Sequence, residues 1–377
     1  MKSNPLLVLE SLGQSIWIDF IRRQTITSGE LKHLIEQDGV SGVTSNPSIF
    51  EKAIAESDDY DESIRALSLA GKSAEEIYQR LTVEDIQMVA DQLRATYDQT
   101  DGRDGFVSLE VSPILAHDTT GTIEEARQLW SLVNRANVMI KVPATREGLP
   151  AIQQLTAEGI NVNITLLFGL PRYRQVVDAY LTGLERLAST GKNLKNVASV
   201  ASFFLSRIDT LVDPLLEKKI TTSGRDATVA GPLQGQVATA SAKVAYQIYK
   251  EIFGSDRFRK LQDNGARTQK LLWASTSTKN PAYSDTKYIE PLIGPDTINT
   301  LPIETLNAYR EHGLPRLTLD ENRDQAYRIL QELPQAGINL DQITQDLEQQ
   351  GVEKFRLALD RLMASLQEKQ TATASSL

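Results

Sequence analysis

The sequence Val138-Met-Ile-Lys-Val-Pro-Ala-Thr-Arg-Glu-Gly148 places one lysine, Lys141, inside an apolar run. Such a run is typical of a buried strand, and the proline that follows predicts a loop. If both faces of the strand are covered, loss of water disfavours the ammonium and favours the neutral amine, which can attack a carbonyl carbon. At this point an alternative stays open, in which the lysine snorkels from the strand end or pairs with a carboxylate.

The composition limits the class of protein. The chain has 377 residues with 40 Lys plus Arg, 49 Asp plus Glu and a formal net charge of -9. This balance argues against a nucleic-acid surface or an anionic membrane patch, so a phosphate-bearing partner needs a local basic pocket. The absence of cysteine excludes disulfides, thiolate metal sites and cysteine nucleophiles. His33, His117 and His312 lack ligand spacing, which argues against a zinc site.

No segment has the pattern of a targeting or membrane sequence. The apolar run within residues 1–10 is shorter than the core of a signal peptide, and no stretch approaches the length of a membrane span. These features predict a soluble cytoplasmic protein without a membrane partner.

Eight strand-like segments alternate with helical patterns along the chain. The predicted strands are Ser15–Phe20, Val43–Pro47, Phe106–Ser112, Val138–Ala144, Ile160–Phe168, Val197–Phe204, Lys270–Ser277 and Thr297–Leu301. This alternation predicts a parallel sheet, and eight is the number of strands that closes into a barrel. We therefore predict an α/β fold, the (β/α)8 or TIM barrel.

The remaining segments are predicted to be helical additions to one barrel. Residues 51–104 carry apolar positions at helical spacing and form an insertion after the second strand, and residues 303–369 form a C-terminal helical extension. The amphipathic segments of that extension are Asn322–Leu333, Leu340–Gln349 and Glu353–Lys369. Residues 370–377 are small and polar, which predicts a disordered tail. No composition break marks a second unit, so residues 1–369 are predicted to form a single domain.

Polar side chains recur on one face of several predicted strands. Strands of a parallel sheet that is covered on both sides are nearly all apolar, so polar positions of one parity are informative. These positions include Asp19, Asn46, Glu110, Lys141, Asn163 and Thr165. Several of them lie late in their strands, and active sites form at the carboxyl ends of barrel strands. Any one of them alone is more often a satisfied core residue, so their convergence is what indicates a site.

A lysine, two carboxylates and a threonine in one water-excluding pocket combine an amine nucleophile with separate acid and base groups. An imine between Lys141 and a ketose draws electrons from the neighbouring carbon. The bond one carbon further along the chain can therefore break and leave a stabilised carbanion. This chemistry requires no metal and no cofactor. The sequence also lacks a glycine-rich phosphate loop, a dinucleotide fingerprint, HExxH and Gly-x-Ser-x-Gly.

Five motifs carry a family resemblance. They are Thr44-Ser-Asn-Pro-Ser48, Ser108-Leu-Glu-Val111, Ile140-Lys-Val-Pro143, Ile160-Asn-Val-Asn-Ile-Thr-Leu-Leu-Phe168 and Ser202-Phe-Phe-Leu-Ser-Arg-Ile-Asp209. In order and spacing, over about residues 12 to 310, the chain resembles transaldolase. It also resembles the longer bacterial branch of that family, in which the stretch Ala274–Pro281 and the extra helices recur.

The resemblance implies a role for each matched residue. Lys141 would form a Schiff base with the donor ketose phosphate. Glu110 would act as acid and base through a water held with Thr165, and Asp19 would take the C4 hydroxyl proton as the C3–C4 bond breaks. The implied substrate-binding residues are Asn46, Asn163, Ser202, Phe204, Arg207, Ser275 and Lys279. Of these, the asparagines would hold the three-carbon unit, Arg207 would hold the phosphate with the serines, and the phenylalanine would line the pocket.

One position departs from the family pattern. Shorter members carry a second arginine just after the seventh strand, where this chain has Ser277 or Thr278, with Lys279 as the closest cation. A lysine can reach a phosphate as a point charge but cannot make the bidentate contact of a guanidinium, and a solvated loop lysine is the alternative. Arg172 and Arg174 are expected to be surface residues.

The resemblance implies transfer of a dihydroxyacetone unit from sedoheptulose 7-phosphate to glyceraldehyde 3-phosphate, which gives erythrose 4-phosphate and fructose 6-phosphate in the non-oxidative pentose phosphate pathway. Sugar phosphates would be the partners. One alternative is an imine-forming aldolase that releases free dihydroxyacetone. Another is a non-catalytic interaction protein that uses the added helices as its binding surface. A barrel exterior can dimerise through many helix pairs, so a homodimer is an open expectation.

Overall fold

The computed structural model describes residues 4–221 and 225–375, and its centre is a closed parallel barrel. The strands are β1 (Gln14–Ile18), β2 (Val40–Val43), β3 (Phe106–Glu110), β4 (Val138–Pro143), β5 (Val162–Leu167), β6 (Ser199–Phe204), β7 (Lys270–Ala274) and β8 (Thr297–Leu301). Each strand pairs in parallel with the next one along the chain, and β8 pairs with β1. This is a (β/α)8 TIM barrel, so the predicted fold class is confirmed.

Helices surround the barrel and also extend it at the C-terminal end of the chain. They are α1 (Pro5–Ser11), α2 (Arg23–Thr27), α3 (Glu30–Asp38), α4 (Pro47–Ala55), α5 (Asp61–Leu69), α6 (Ala74–Gln92), α7 (Arg94–Gln99), α8 (Thr119–Val133), α9 (Gly148–Glu158), α10 (Leu170–Ser189), α11 (Ser206–Thr221), α12 (Arg225–Ala230), α13 (Val237–Phe253), α14 (Asp256–Gln262), α15 (Ile303–His312), α16 (Arg323–Glu332) and α17 (Leu340–Ser375). The predicted insertion after the second strand contains α5 to α7 and most of α4. Among the described helices, none has both the length and the apolar character needed to cross a bilayer.

The barrel strands that carry the polar motifs are buried along their whole length. Every residue of β3, β4, β5 and β6 is buried, which explains why their sequences are nearly continuous apolar runs. Burial on both faces removes the snorkelling alternative for Lys141 in the middle of β4. A polar side chain in these strands must therefore find its partners inside the protein.

The second strand lies earlier than the predicted Val43–Pro47. The chain leaves the sheet after Val43 because Asn46 caps α4, where its side chain accepts a hydrogen bond from the backbone N–H of Ile49. Pro47 then occupies the first turn of the helix, where its missing N–H costs nothing. Asn46 is therefore in a helix cap after the strand and not in the strand itself.

The last two predicted amphipathic segments are one helix, α17, which runs through Gly351. Glycine weakens a helix, but a Cβ at position 351 would lie 2.8 Å from Leu166 Cδ2, so a larger residue here would displace the Leu166 side chain. The predicted disordered tail is wrong for residues 370–375, which continue this helix, and residues 376–377 lie outside the described part.

Helix α17 lies across the mouth of the barrel at the carboxyl ends of the strands. It contacts β5, α4, α11 and the turn Pro113–Leu115 that follows β3. Its apolar residues, including Phe355, Leu362 and Leu366, join the same hydrophobic cluster as the barrel strands. The C-terminal extension thus covers the end of the barrel where the polar residues collect.

Candidate active site

Lys141 lies between polar neighbours on the two adjacent strands. In the barrel register it is level with Glu110 of β3 on one side and with Asn163 of β5 on the other. Its Nζ lies 3.2 Å from Glu110 Oε2 and donates a hydrogen bond of 2.9 Å to the backbone carbonyl of Ser45. Only 3% of the residue is exposed. The amine is therefore held in a fixed position away from bulk water.

Glu110 shares this dry environment. Burial raises the pKa of Glu110, and the charge of Lys141 partly opposes the shift. Proton transfer from the ammonium to the carboxylate would convert the buried ion pair into a neutral amine and a neutral acid, which removes two charges from a dry site. The pair can therefore supply both a nucleophile and a general acid.

Thr165 lies on β5 two residues after Asn163, towards the carboxyl end of the strand, and is level with Pro143 of β4. The residue is fully buried, and among the described residues its Oγ1 has no hydrogen-bond partner. Oε2 of Glu110 also lacks a hydrogen-bond partner in this part of the chain, apart from its ion pair with Lys141. Both oxygens remain available to a water molecule or a substrate hydroxyl.

Asp19 directly follows β1 and is oriented by the loop after β2. Thr44 Oγ1 donates a hydrogen bond of 2.7 Å to Asp19 Oδ1. Burial raises the pKa of Asp19, while the charge of Lys141 and the hydrogen bond from Thr44 act in the opposite direction. A carboxylate with a raised pKa beside the amine is suited to accept and return a proton.

A chain of hydrogen bonds fixes Asn163 inside the barrel. Its Nδ2 donates to Ser108 Oγ at 2.9 Å, and its Oδ1 accepts from Ser202 Oγ at 2.7 Å. One amide N–H of Asn163 is left for a substrate. Because Ser202 gives its only proton to Asn163, it can meet a ligand in this arrangement only as an acceptor, which does not suit the predicted contact with a phosphate.

Asn46, Phe204 and Ser275 lie at the ends of their strands or in the loops that follow. The Asn46 side-chain oxygen is used by its helix cap, so its NH2 group is the part that can reach a substrate. The Phe204 ring packs 5.2 Å from Phe168 between ring centroids. Ser275 Oγ lies 2.9 Å from Ser206 Oγ.

Two residues beside the site have a left-handed backbone conformation, which residues other than glycine seldom adopt. Leu166 and Ser275 both have a φ of 54°. Leu166 directly follows Thr165, and the register between β5 and β6 shifts between Ile164 and Leu167. Irregularities of this kind bend a strand and redirect its side chains, and they cluster at functional sites.

Arg207 and Lys279 form a basic pair at the mouth. Burial lowers the pKa of Arg207 and nearby Asp19 raises it, and burial together with the charge of Arg207 lowers the pKa of Lys279. The Arg207 guanidinium lies 5.7 Å from the centroid of the Phe204 ring. Lys279 Nζ donates to Ser277 Oγ at 2.6 Å. Neither cation forms an ion pair with a carboxylate within the described residues.

The arginines at the start of α10 behave differently from each other. Arg174 pairs with Glu251 at the surface, as predicted. Arg172 lies 3.3 Å from Glu348 of α17, and its side chain is only 23% exposed, because α17 covers it. Arg172 is therefore only partly exposed, at the edge of α17. No three acidic or histidine side chains of the described residues gather closely enough to hold a metal ion.

Comparison with known proteins agrees with this geometry. Residues 16–366 match the family model described as transaldolase/fructose-6-phosphate aldolase. The chain belongs to this family. It is 47% identical over 374 residues to a protein named transaldolase from Trichodesmium erythraeum, which covers 98% of each chain. It is also 47% identical to the transaldolase of Thermobifida fusca over 361 residues and 96% of each chain.

A third relative, transaldolase 2 of a Nostoc species, is 46% identical over 374 residues and 98% of each chain. The known activity of the transaldolase family is a transferase reaction that proceeds through a lysine Schiff base on sugar phosphates. The predicted family and enzyme class are therefore confirmed, and the interaction-protein alternative is set aside.

The sequence analysis assigned no role to some groups of this transaldolase-family site. Ser108 and Thr44 were predicted to point inward, because Ser108 shares a strand face with Glu110 and Thr44 shares one with Asn46. Their contacts with Asn163 and Asp19 could not be predicted. The carbonyl of Ser45 has no side-chain signal at all, since any residue supplies the same backbone group.

Proposed function

We propose that Lys141 is the Schiff-base lysine and that the enzyme moves a dihydroxyacetone unit from sedoheptulose 7-phosphate to glyceraldehyde 3-phosphate. The observation that carries this assignment is the buried amine 3.2 Å from the carboxylate of Glu110. Both groups lie at the carboxyl end of the barrel, where barrel enzymes bind their substrates. The products are erythrose 4-phosphate and fructose 6-phosphate.

The first step joins the enzyme and the donor ketose. The neutral amine of Lys141 attacks the ketose carbonyl carbon and forms a carbinolamine. Glu110 then donates a proton to the departing hydroxyl, through a water that Thr165 helps to hold, and water leaves as the imine forms. Two buried oxygens support this role: Thr165 Oγ1 has no hydrogen-bond partner among the described residues, and Glu110 Oε2 has only its ion pair with Lys141.

The second step breaks the carbon chain. Asp19 accepts the proton of the C4 hydroxyl, the C3–C4 bond breaks, and its electron pair moves into the imine to give an enamine. Erythrose 4-phosphate leaves, and the NH groups of Asn46 and Asn163 hold the three-carbon unit. The hydrogen bond from Thr44 supports a fixed orientation of Asp19 for this transfer.

The third step reverses the second with a new partner. The enamine carbon attacks the aldehyde carbon of glyceraldehyde 3-phosphate, and Asp19 returns its proton to the new hydroxyl. Water then hydrolyses the imine and releases fructose 6-phosphate. Arg207 and Lys279, with Ser275 nearby, bind the phosphate of the donor or the acceptor by charge.

The aldolase alternative differs only in the fate of the enamine. If the enamine carbon takes a proton from water before an aldehyde arrives, the resulting imine is hydrolysed by a second water, which frees Lys141 and releases dihydroxyacetone. The cover that α17 forms over the mouth favours the transferase, because it restricts access of water. Sugar phosphates are charged and stay within the cell, so we also propose a cytoplasmic location.

Product analysis distinguishes the two reactions. Fructose 6-phosphate is incubated with the enzyme, with and without erythrose 4-phosphate, and products are separated by chromatography. We expect sedoheptulose 7-phosphate and glyceraldehyde 3-phosphate to form only with the acceptor present. Release of free dihydroxyacetone at a similar rate without acceptor would establish the aldolase instead.

A further inference from the structure

Helix α17 is fixed at two places on opposite sides of the barrel mouth. Towards its start, Glu348 pairs with Arg172 of α10, which follows β5. Further along, Arg361 donates to Glu51 Oε2 of α4 at 2.8 Å, and α4 follows β2. The turns between these ion pairs therefore cross the mouth. Gly351 contacts Leu166, the residue that follows Thr165 on β5.

Lys354 lies one helical turn beyond Gly351 in this crossing segment. Lys354 lies on the same face of the helix as Gly351 and Ala358. Both of these residues are buried, so this face is the one that packs against the barrel. Lys354 itself is exposed. Helix α17 also packs on α11, which carries Arg207, and on α4, which carries Lys52.

Four cations converge at this mouth from four separate elements. They are Lys52 of α4, Arg207 of α11, Lys279 after β7 and Lys354 of α17, and α17 packs against both α4 and α11. Burial lowers the pKa of Lys354, and repulsion by the other three cations lowers it further. Lys279 is affected in the same way by Arg207 and Lys52. These side chains are thus close enough to repel one another.

None of the four cations forms an ion pair with a carboxylate in the described parts of the chain, whereas charges beside them do. Glu51, next to Lys52, pairs with Arg361, and Arg356, two residues after Lys354, pairs with Glu353. Asp19 and Glu304 act in the opposite direction on Arg207 or Lys279, but like charges brought together still cost electrostatic energy. That cost is offset when a dianionic group binds among them, which is the usual reason for such a concentration of charge.

We propose that Lys354 of the C-terminal helix, together with Lys52, binds the phosphate of the sugar substrate and completes the subsite that Arg207 and Lys279 begin. This rests on the proposed function, which supplies the phosphate-bearing substrate. The extension thereby adds cations beside the loop after β7, which has Ser277 or Thr278 where shorter family members carry an arginine. Several point charges around one phosphate replace one bidentate contact.

The role of Lys354 is tested by removal of its charge. For Lys354→Gln we expect the KM for fructose 6-phosphate to rise about tenfold with kcat within about twofold, because the lost contact is made equally in ground and transition states. Lys354→Arg should keep most of the affinity. The matched control is Arg356→Gln, which removes one positive charge from the same helix at a position paired with Glu353 and Asp360.

Two further measurements separate this proposal from the catalytic assignment. Turnover of unphosphorylated fructose should be equal in wild type and Lys354→Gln, whereas competition by inorganic phosphate should weaken about tenfold in the variant. Calorimetric titration of the wild type and the variant with inorganic phosphate tests the subsite without any turnover. If wild type forms no adduct at Lys141 with fructose and borohydride, the catalytic assignment fails while the phosphate titration still tests the subsite.

The proposal is overturned if Lys354→Gln binds inorganic phosphate as tightly as wild type does. It is also overturned if the variant changes the kinetics of fructose and fructose 6-phosphate equally, because a phosphate contact acts only on the phosphorylated sugar. A loss in Arg356→Gln as large as that in Lys354→Gln would show a general effect of charge and not a local contact.

Discussion

Lys141 Nζ and Glu110 Oε2 lie 3.2 Å apart on level positions of neighbouring strands, and both side chains are almost completely buried. An isolated charge would be costly at this depth, but the pair can exist as two charges or as two neutral groups. The neutral form of the pair is the reactive one, because it presents a free amine beside a carboxylic acid. The same contact thus stabilises the resting site and prepares it for imine formation.

Glu110→Gln should reduce kcat by about 10²- to 10⁴-fold, because glutamine keeps the shape of the side chain but cannot transfer a proton. Steady-state assays with fructose 6-phosphate and erythrose 4-phosphate measure the effect. Glu125→Gln is the matched control: Glu125 is another carboxylate whose pKa is raised by burial, and it accepts a hydrogen bond from the Ser112 N–H outside the site. Equal losses in both variants would mean that buried charge alone explains the effect.

Asp19→Asn should separate imine formation from bond cleavage. We expect turnover to fall at least about 10²-fold, because the C4 hydroxyl loses its proton acceptor, while the imine still forms at Lys141. Borohydride trapping with fructose 6-phosphate followed by mass spectrometry should find as much adduct as in wild type, or more. Loss of both turnover and adduct would contradict a role that is limited to cleavage.

Asp209 should make the stability of the fold depend on pH. Burial raises the pKa of Asp209 from 3.8 to about 6, although its oxygens accept hydrogen bonds from the Ala238 N–H and the Tyr288 hydroxyl. The folded protein holds this proton more tightly than the unfolded chain, so the stabilisation is complete below about pH 4 and is lost as the pH rises through about 6.

Urea unfolding of wild type and Asp209→Asn across this pH range measures the effect. The free energy of unfolding of wild type, relative to the variant, should fall by about 2 kcal/mol between pH 4 and pH 7. The absolute stability of the variant does not matter, since the comparison uses only the slopes. Parallel curves for the two proteins would exclude a raised pKa at this position.

Gly148→Ala should destabilise the strand that carries Lys141. A Cβ at position 148 would lie 2.0 Å from the carbonyl oxygen of Pro143, the last residue of β4, so the backbone must move. We expect a loss of about 2–4 kcal/mol in the free energy of unfolding. Gly231→Ala is the control, because a Cβ there meets nothing within 4 Å, and it should change stability by less than about 1 kcal/mol. Similar losses in both variants would contradict this account.

The barrel itself could be predicted because each strand leaves a local signal. Burial of both strand faces produces apolar runs in the sequence, and helical segments separate these runs. Lys141 could be recognised because it is the one charged residue within its run. The predicted second strand, Val43–Pro47, was placed too late in the chain, because its last residues, Asn46 and Pro47, can either extend a strand or begin a helix. Only the hydrogen bond from the Ile49 N–H distinguishes the two.

Contacts between distant segments were not predictable. In the sequence, Lys354 looks like any lysine of an amphipathic helix, and no neighbouring residue indicates that it lies near Arg207. Its position follows only from the way in which α17 crosses the barrel mouth. The left-handed backbone of Leu166 has no signal either, because leucine is not a residue that favours this conformation. Periodicity reports which face is buried, but it does not report which element covers it.

The central claim is that Lys141 is the amine that attacks the sugar, and reductive trapping tests it most directly. Wild type and Lys141→Arg are treated with borohydride in the presence of fructose 6-phosphate, then digested and analysed by mass spectrometry. We predict one stable adduct on the wild-type peptide that contains Lys141 and none in the variant, since a guanidinium cannot form the imine. An adduct on a different lysine, or no adduct in wild type under conditions of active turnover, would contradict the account.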